Sequence, residues 1–233
     1  MPLTKAPWQL TLVRWRRARA PATCPLGLKA AGCTVALSLK GRFSLCRSGI
    51  LIRRFDRYID EHGIAHRLAA EDACQLSNRY PSDKYLLTAE QCSEALLTQV
   101  FSPRIAAPEV FRQFVYAWLT GNGDLHAKNL SIVENRKGQY ELSPIYDIPS
   151  TAPCGDKSMA LLLSGKKDGL SRRRFLTFAH NIGVSSRVAE HVLEEVLTGT
   201  EHLAEQAREE LPFDSHRMKE LLKVLKNRRR SLL

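Results

Sequence analysis

The sequence lacks acidic residues over its first 55 positions, since no aspartate or glutamate precedes Asp56. Eleven of the 35 lysines and arginines lie in this stretch, which leaves 24 basic residues against all 24 acidic ones in the remainder. The net charge of +11 therefore belongs to the N-terminal segment alone. Three interpretations stay open for it: a nucleic-acid-binding tract, an organellar transit peptide, and a poorly ordered or atypically translated leader. We favour the leader, because the segment lacks the interleaved aromatics and glycines of an RNA-binding tract.

Long apolar runs and paired cysteines are also missing. No apolar stretch reaches the roughly 18 residues that a membrane-spanning helix needs, so we expect no membrane partner. The six cysteines form no Cys-x-x-Cys pair, which argues against a zinc site. Scattered thiols are typical of a reducing compartment, and we therefore expect a cytoplasmic protein.

The composition that remains is that of an ordinary globular protein, with 44% hydrophobic and 25% charged residues. Residues 35–39 and 48–54 have the composition of strands and flank a predicted turn at Gly41. The last third has apolar residues at helical spacing. Residues 175–192 suggest a helix-turn-helix only loosely, and we favour a plain helical hairpin there. These patterns predict an α+β fold.

A strongly apolar helix is predicted just before the middle of the chain. Pro108 suits its first turn, and Gly121 is a good stop signal. Its apolar residues recur at helical spacing and are Val110, Phe111, Phe114, Val115, Trp118 and Leu119. A polar loop, residues 121–129, follows directly. Strands are predicted at 130–134 and 140–142, joined by a turn.

The spacing around this loop is the arrangement that phosphoryl transfer requires. Asp124 and Asn129 have four residues between them, as do the catalytic Asp and the metal-binding Asn of protein kinases. A hairpin returns the chain to its starting point, so Asp147 is predicted to lie near Asn129. Two carboxylates and an amide would then converge as hard oxygen ligands. The alternative is a hydrogen-bonded loop that only caps the helix.

Several motifs occur in the order found in HipA-family kinases, and the sequence resembles that family over roughly residues 26–200. The motifs are Asn122 to Ser131 for the catalytic loop, Leu142 to Ile148 for its metal-binding segment, Ile52 to Arg57 for the hinge, and Glu71 to Gln75 with Pro81 to Tyr85 for the elements that follow the hinge.

The resemblance implies a serine/threonine protein kinase that uses ATP and Mg²⁺, with Asp124 as the catalytic base. Asn129 and Asp147 would bind the metal, and His126 and Lys128 would contact phosphates. At the nucleotide end the implied residues are Phe55 on the adenine, Asp56 on the ribose and Tyr146 lining the pocket. Phe55 and Tyr146 also have a simpler interpretation as core aromatics.

The resemblance also implies partners. Family members are toxins of toxin–antitoxin systems that phosphorylate aminoacyl-tRNA synthetases and are restrained by a DNA-binding antitoxin of the HipB type. DNA would then be contacted only indirectly, through the antitoxin.

The upstream parts of such a kinase are not recognisable here. The sequence shows no Gly-rich phosphate loop before residue 50 and no strand lysine in the expected context. We therefore expect a truncated or frameshifted product, with a leader at 1–25 and a kinase domain at 26–233. Within that domain, 26–60 would be the small-lobe remnant and hinge, with a sheet at 33–56, and 61–233 a helical C-lobe. A catalytically inactive remnant that binds a partner and a small-molecule phosphotransferase stay open as alternatives.

Overall fold

The computed structural model describes residues 54–211 and 213–233 with their side chains, and the backbone of residues 8–11, 22–23, 38–43 and 47–53. Its strands are β1 (Trp8–Thr11), β2 (Ala22–Thr23), β3 (Ser38–Phe43), β4 (Arg47–Arg53), β5 (Arg57–Ile59), β6 (Ala65–Arg67), β7 (Ala70–Asp72), β8 (Ser131–Glu134), β9 (Tyr140–Leu142) and β10 (Pro149–Ser150). Its α-helices are α1 (Ala73–Leu76), α2 (Ala89–Leu97), α3 (Pro103–Thr120), α4 (Arg172–Asn181), α5 (Ser186–Gly199), α6 (Leu203–Glu210) and α7 (Ser215–Leu232).

In the described part of the chain, four small antiparallel sheets accompany the helices. Their strand orders are β1-β4-β3, β10-β2, β5-β6 and β7-β8-β9. The α+β class predicted from the sequence is thereby confirmed. The mainly helical second half is confirmed as well, because α4 to α7 follow one another after the last short strand.

The N-terminal sheet differs from the prediction in detail. Gly41 does not form a turn but pairs with Gly49 inside the β3–β4 ladder. The prediction was wrong because glycine also occurs inside strands, where a second glycine opposite it leaves the pairing unhindered. Two stretches of the segment predicted to be a leader, β1 and β2, pair with β4 and β10.

Helix α3 organises the core. It begins at Pro103, five residues before the predicted start, and Pro103 occupies the first-turn position that we had assigned to Pro108. Pro108 instead lies inside the helix. The predicted end at Gly121 is confirmed, since this residue caps the helix with a φ of 75°. Twelve of its residues are buried, so α3 is enclosed on most sides.

Aromatic side chains join α3 to the next helical layer. The rings of Phe111 and Phe114 contact Phe178 of α4, at centroid distances of 6.2 and 5.1 Å. Phe175 lies 6.4 Å from both Phe111 and Trp118. Helices α4 and α5 form the expected helical hairpin, with the turn at Gly183 in the left-handed region. Within the part of the chain that is described, no helix combines the length and apolarity needed to cross a membrane.

Helix α7 is fastened to the end of α3 by a buried arginine. The Arg228 guanidinium donates to the carbonyl oxygen of Trp118 at 2.7 Å and also to that of Lys157. Its carbon lies 4.1 Å from the centre of the Trp118 ring. Burial lowers the pKa of Arg228 to about 10, so the group stays charged at neutral pH. A cation at a helix C-terminus also complements the helix dipole.

We expect Arg228→Ala to lower the free energy of unfolding by about 2–4 kcal/mol, because two carbonyl groups would lose their charged donor and a cavity would open. Urea denaturation measures this value. Arg230→Ala is the matched control on the same helix, where the side chain is exposed, and should change stability by less than about 0.5 kcal/mol. Equal effects of the two substitutions would contradict the anchoring role.

Candidate functional site

The polar loop after α3 is packed closely against the segment that follows β10. A Cβ atom added to Gly123 would lie 2.4 Å from Thr151 Oγ1 and 2.6 Å from the carbonyl oxygen of Ser158, so no other residue fits without movement. The Gly123 amide donates to Thr151 Oγ1 at 3.0 Å, and that hydroxyl donates to the Asp156 carbonyl at 3.0 Å. Thr151 therefore fixes the start of the loop.

The loop is also closed on itself by hydrogen bonds around Asp124. The Asp124 amide donates to Asn122 Oδ1 at 2.9 Å, which is an Asx turn. The Asp124 carbonyl accepts from Asn129 Nδ2 at 2.9 Å and from the His126 amide at 2.8 Å. These bonds use the backbone of Asp124 and leave its carboxyl group at the surface, with 37% of the side chain exposed.

The hairpin brings Asp147 back to this loop, as predicted. Strands β8 and β9 pair in the expected positions, with Ile132 opposite Leu142. Tyr146 then secures the return, because its hydroxyl donates to the Lys128 carbonyl at 2.9 Å and lies 2.5 Å from Ser131 Oγ. The next residue, Asp147, has a φ of 51° in the left-handed region.

The Asp147 carboxyl is electrostatically unfavourable where it lies. Its pKa is raised, first by burial of the carboxyl among protein atoms and then by the negative charge of Asp124. His126, a hydrogen bond from Asn129 and the charge of Lys84 act in the opposite direction. Asp147 as a whole residue is nevertheless exposed. Asp124 and Asn129 both act on Asp147, so the three residues lie together, as their spacing predicted.

Two neighbouring residues that the sequence analysis did not assign to the site contact the loop. The Tyr85 hydroxyl donates to Asp124 Oδ1 at 2.8 Å, and its ring lies edge-on to His126 at 5.2 Å. Burial, with the hydrogen bond and charge of Asp124, raises the pKa of Tyr85 to about 12. Lys84 Nζ lies 2.9 Å from His126 Nε2. The only signal in the sequence was the Pro81 to Tyr85 motif, to which no role had been attached.

The other predicted residues lie around this centre. His126 is almost fully buried, at 6% exposure, and burial lowers its pKa. Lys128 is half-buried, and its charge lowers the raised pKa of the Cys74 thiol. The charge of Lys84 acts to lower the raised pKa of Asp147.

The predicted nucleotide-end residues form a second group. The rings of Phe55 and Tyr146 lie 5.4 Å apart, and Tyr146 joins this group to the loop. Asp56 is held by Arg54, with Nε donating to Oδ1 at 2.6 Å, and has Arg57 at 3.7 Å. The Arg54 hydrogen bonds hold the pKa of Asp56 below its usual value. Asp56 is therefore already engaged by cations.

The oxygen atoms at this site suit a metal ion that is also coordinated by a bound substrate. The described residues hold no cluster of three or more His, Cys, Asp or Glu side chains that could bind a metal ion by themselves. Proteins often hold Mg²⁺ with only one or two hard oxygen ligands, while substrate phosphates and water complete its coordination shell. The Asp147 carboxylate and the Asn129 amide oxygen would supply two such ligands.

Comparison with protein families decides which group of proteins this is. The profile of the HipA-like C-terminal domain matches residues 22–204, well over half of the chain. The chain belongs to the HipA-like C-terminal domain family. The resemblance read from the sequence motifs is thereby confirmed.

Two curated relatives in this family carry names that describe kinases. "Putative kinase Y4mE" of Sinorhizobium fredii is 31% identical over 146 residues, which cover 59% of this chain and 34% of the relative. A "Putative kinase" of Haemophilus influenzae is 26% identical over 160 residues, which cover 59% of this chain and 46% of the relative. The chain thus spans about a third to a half of the curated relatives it matches.

Solved structures show the same fold at low identity. HipA of Shewanella oneidensis, from its complex with HipB and operator DNA, gives a TM-score of 0.69 at 18% identity and matches 86% of this chain and 53% of its own. The Helicobacter pylori proinflammatory kinase CtkA gives a TM-score of 0.60 at 16% identity. The match covers 88% of this chain and 79% of CtkA. The fold of this chain is therefore HipA-like and kinase-like.

We expect Asp147→Asn to stabilise the protein at pH 7 without added metal, by a few tenths to about 1 kcal/mol given partial solvent access. The pKa of Asp147 is higher in the folded than in the unfolded chain, so its ionisation costs stability at neutral pH. The gain should shrink as the pH falls through the folded-state pKa and the wild-type carboxyl becomes neutral. Asparagine tolerates the left-handed backbone equally well.

Urea denaturation of both proteins between pH 4 and pH 7 measures this difference. A substitution that destabilises the protein at pH 7 would contradict an unneutralised carboxylate at this position.

Proposed function

We propose that this domain transfers the γ-phosphoryl group of ATP to a serine or threonine hydroxyl of a protein. The observation that carries the proposal is the meeting of Asp124, Asn129 and Asp147 at one loop, where Asp124 raises the pKa of Asp147. Two carboxylates kept close together are costly for a fold. Metal-dependent phosphoryl transfer accounts for that cost, since it needs one carboxylate beside the hydroxyl and another on the metal.

Each residue then has a role. Asp124 orients the acceptor hydroxyl and accepts its proton. Asn129 and Asp147 hold Mg²⁺, which when bound supplies charge neutralisation for the phosphate oxygens. His126 and Lys128 contact phosphates. The Tyr85 hydroxyl occupies Asp124 Oδ1 in the described structure, and an acceptor hydroxyl has to replace it or use the other oxygen.

At the nucleotide end, Phe55 and Tyr146 offer adjoining ring faces on which an adenine can pack. Asp56 serves the ribose in this proposal. Because Arg54 and Arg57 already surround its carboxylate, Asp56 binds a ribose hydroxyl only by sharing an oxygen with them. The arginines keep the carboxylate ionised, which favours it as an acceptor.

The partners follow from the family. The solved Shewanella HipA is in a complex with HipB and operator DNA. We propose an antitoxin of that type as a partner here, with DNA reached only through it, in the cytoplasm. An aminoacyl-tRNA synthetase is the proposed protein substrate. The domain limits proposed from the sequence, 1–25, 26–60 and 61–233, are kept.

A second candidate function is a partner-binding module without catalysis. One observation favours it: two of the proposed site carboxylates already have partners, Tyr85 on Asp124 and Arg54 with Arg57 on Asp56.

We expect Mg-ATP to raise the melting temperature of the wild-type protein and to have no such effect on Asp147→Asn. Saturation at 100 times the Kd corresponds to about 2.7 kcal/mol and shifts the melting temperature of a chain of this size by several degrees. Asp168→Asn, at an exposed carboxylate, is the matched control and should keep the shift. An unmutated protein with neither a shift nor turnover would favour the partner-binding module.

Asp124→Asn should separate binding from chemistry. We expect it to keep the shift with Mg-ATP while phosphate transfer falls by a factor of about 10²–10⁴, the usual contribution of a positioned base. Transfer of labelled phosphate to a protein acceptor measures the rate. Full activity in this variant would remove Asp124 from the proposed role.

A further inference from the structure

We infer that Lys84 is a phosphate-contacting residue of this site and that it binds the terminal phosphate of the nucleotide. The inference rests on the proposed function and adds to it a cation from outside the catalytic loop. It concerns a residue 40 positions before Asp124 in the chain, in the turn between α1 and α2.

The backbone places Lys84 at the loop. Its carbonyl oxygen accepts a hydrogen bond from the Ala127 amide at 3.1 Å, in the middle of the segment between Asp124 and Asn129. The neighbouring Tyr85 is tied to Asp124 by its hydroxyl. The backbone of Lys84 is therefore fixed against the loop that carries Asp124 and Asn129.

The ammonium group lies on a neutral ring instead of on a carboxylate. Lysine has only donors, so His126 Nε2 accepts from Lys84 Nζ at 2.9 Å and the imidazole carries its proton on Nδ1. Within the described residues no carboxylate lies within ion-pair distance of Lys84, although its charge acts on Asp147. The ammonium group also lies 4.9 Å from the centre of the Tyr85 ring, but among the described residues its one hydrogen-bond partner is His126, which leaves N–H donors for an anion.

A second, independent observation points to a ligand. His126 is 94% buried, and its Nδ1 has no hydrogen-bond partner among the described residues. Buried polar groups without a partner are rare in native structures and are found at sites that bind an ion, a water or a substrate. The Lys84–His126 pair therefore has N–H donors without a hydrogen-bond partner among the described residues, close to the carboxylates of Asp124 and Asp147.

An anionic oxygen of a terminal phosphoryl group fits these donors. The group being transferred carries negative charge on its outer oxygens, and lysine binds phosphate as a compact point charge. Lys84 would therefore distinguish ATP, which has the terminal phosphate, from ADP, which lacks it.

The test compares the affinities of Mg-ATP and Mg-ADP by calorimetry for the full chain. We expect the wild-type protein to prefer ATP, and Lys84→Met to lose about tenfold or more of that preference with its ADP affinity unchanged. Lys84→Arg, which keeps the charge, should retain part of the preference. Lys137→Met is the matched control at an exposed position in the β8–β9 turn and should behave as wild type.

Several outcomes would overturn the inference while the proposed function stands. They are a wild-type protein that binds both nucleotides equally, a full ATP preference in Lys84→Met, and a loss of preference in Lys128→Met alone. An equal loss of ATP and ADP affinity in both Lys84→Met and Lys84→Arg would show a structural role and would also overturn it. A wild-type protein that binds neither nucleotide ends the proposed function, and the inference falls with it.

Discussion

The unfavourable position of the Asp147 carboxylate is the constraint around which this half of the molecule is arranged. Asp147 lies where burial and its neighbour both oppose ionisation. A hydrophobic core cannot supply the compensation, so the backbone around both residues has to be held firmly by other bonds. The loop, the hairpin and the turn that carries Lys84 all contribute such bonds, and none of them uses up the Asp147 carboxylate with a salt bridge among the described residues.

The architecture meets this constraint with rigid elements at either end of the loop. Helix α3, buried on most sides, ends at a left-handed glycine that directs the chain out of the core. Thr151 holds the start of the loop, and the Tyr146 hydroxyl holds its far end against the hairpin. Arg228 of α7 donates to the carbonyl oxygen of Trp118 and thereby holds α7 against the C-terminal end of α3. The stabilising contacts are thus made by the helices and the hairpin around the loop, whereas the loop itself carries an energetically unfavourable carboxylate.

The sequence predicted those parts of the site that depend on local order. Asp124, Asn129 and Asp147 could be placed together because a hairpin of two short strands has one geometric outcome. The start of α3 was misjudged because two prolines, at 103 and 108, both suit a first turn, and only the packing of the helix chooses between them. The sequence analysis did not assign Lys84 and Tyr85 to the site, because their contacts with the loop are tertiary and produce no periodic pattern in the sequence. The capture of Asp56 by arginines likewise depends on side-chain direction.

The left-handed backbone at Asp147 limits what this position can become in evolution. Apart from glycine, only asparagine and aspartate adopt such a φ at low cost, so the shape of the segment survives almost solely through these residues. A single change from aspartate to asparagine would keep the fold and relieve its electrostatic strain, yet remove the charge that we propose to bind the metal. A protein that loses the proposed activity and gains stability is therefore one substitution away, and its backbone would be unchanged.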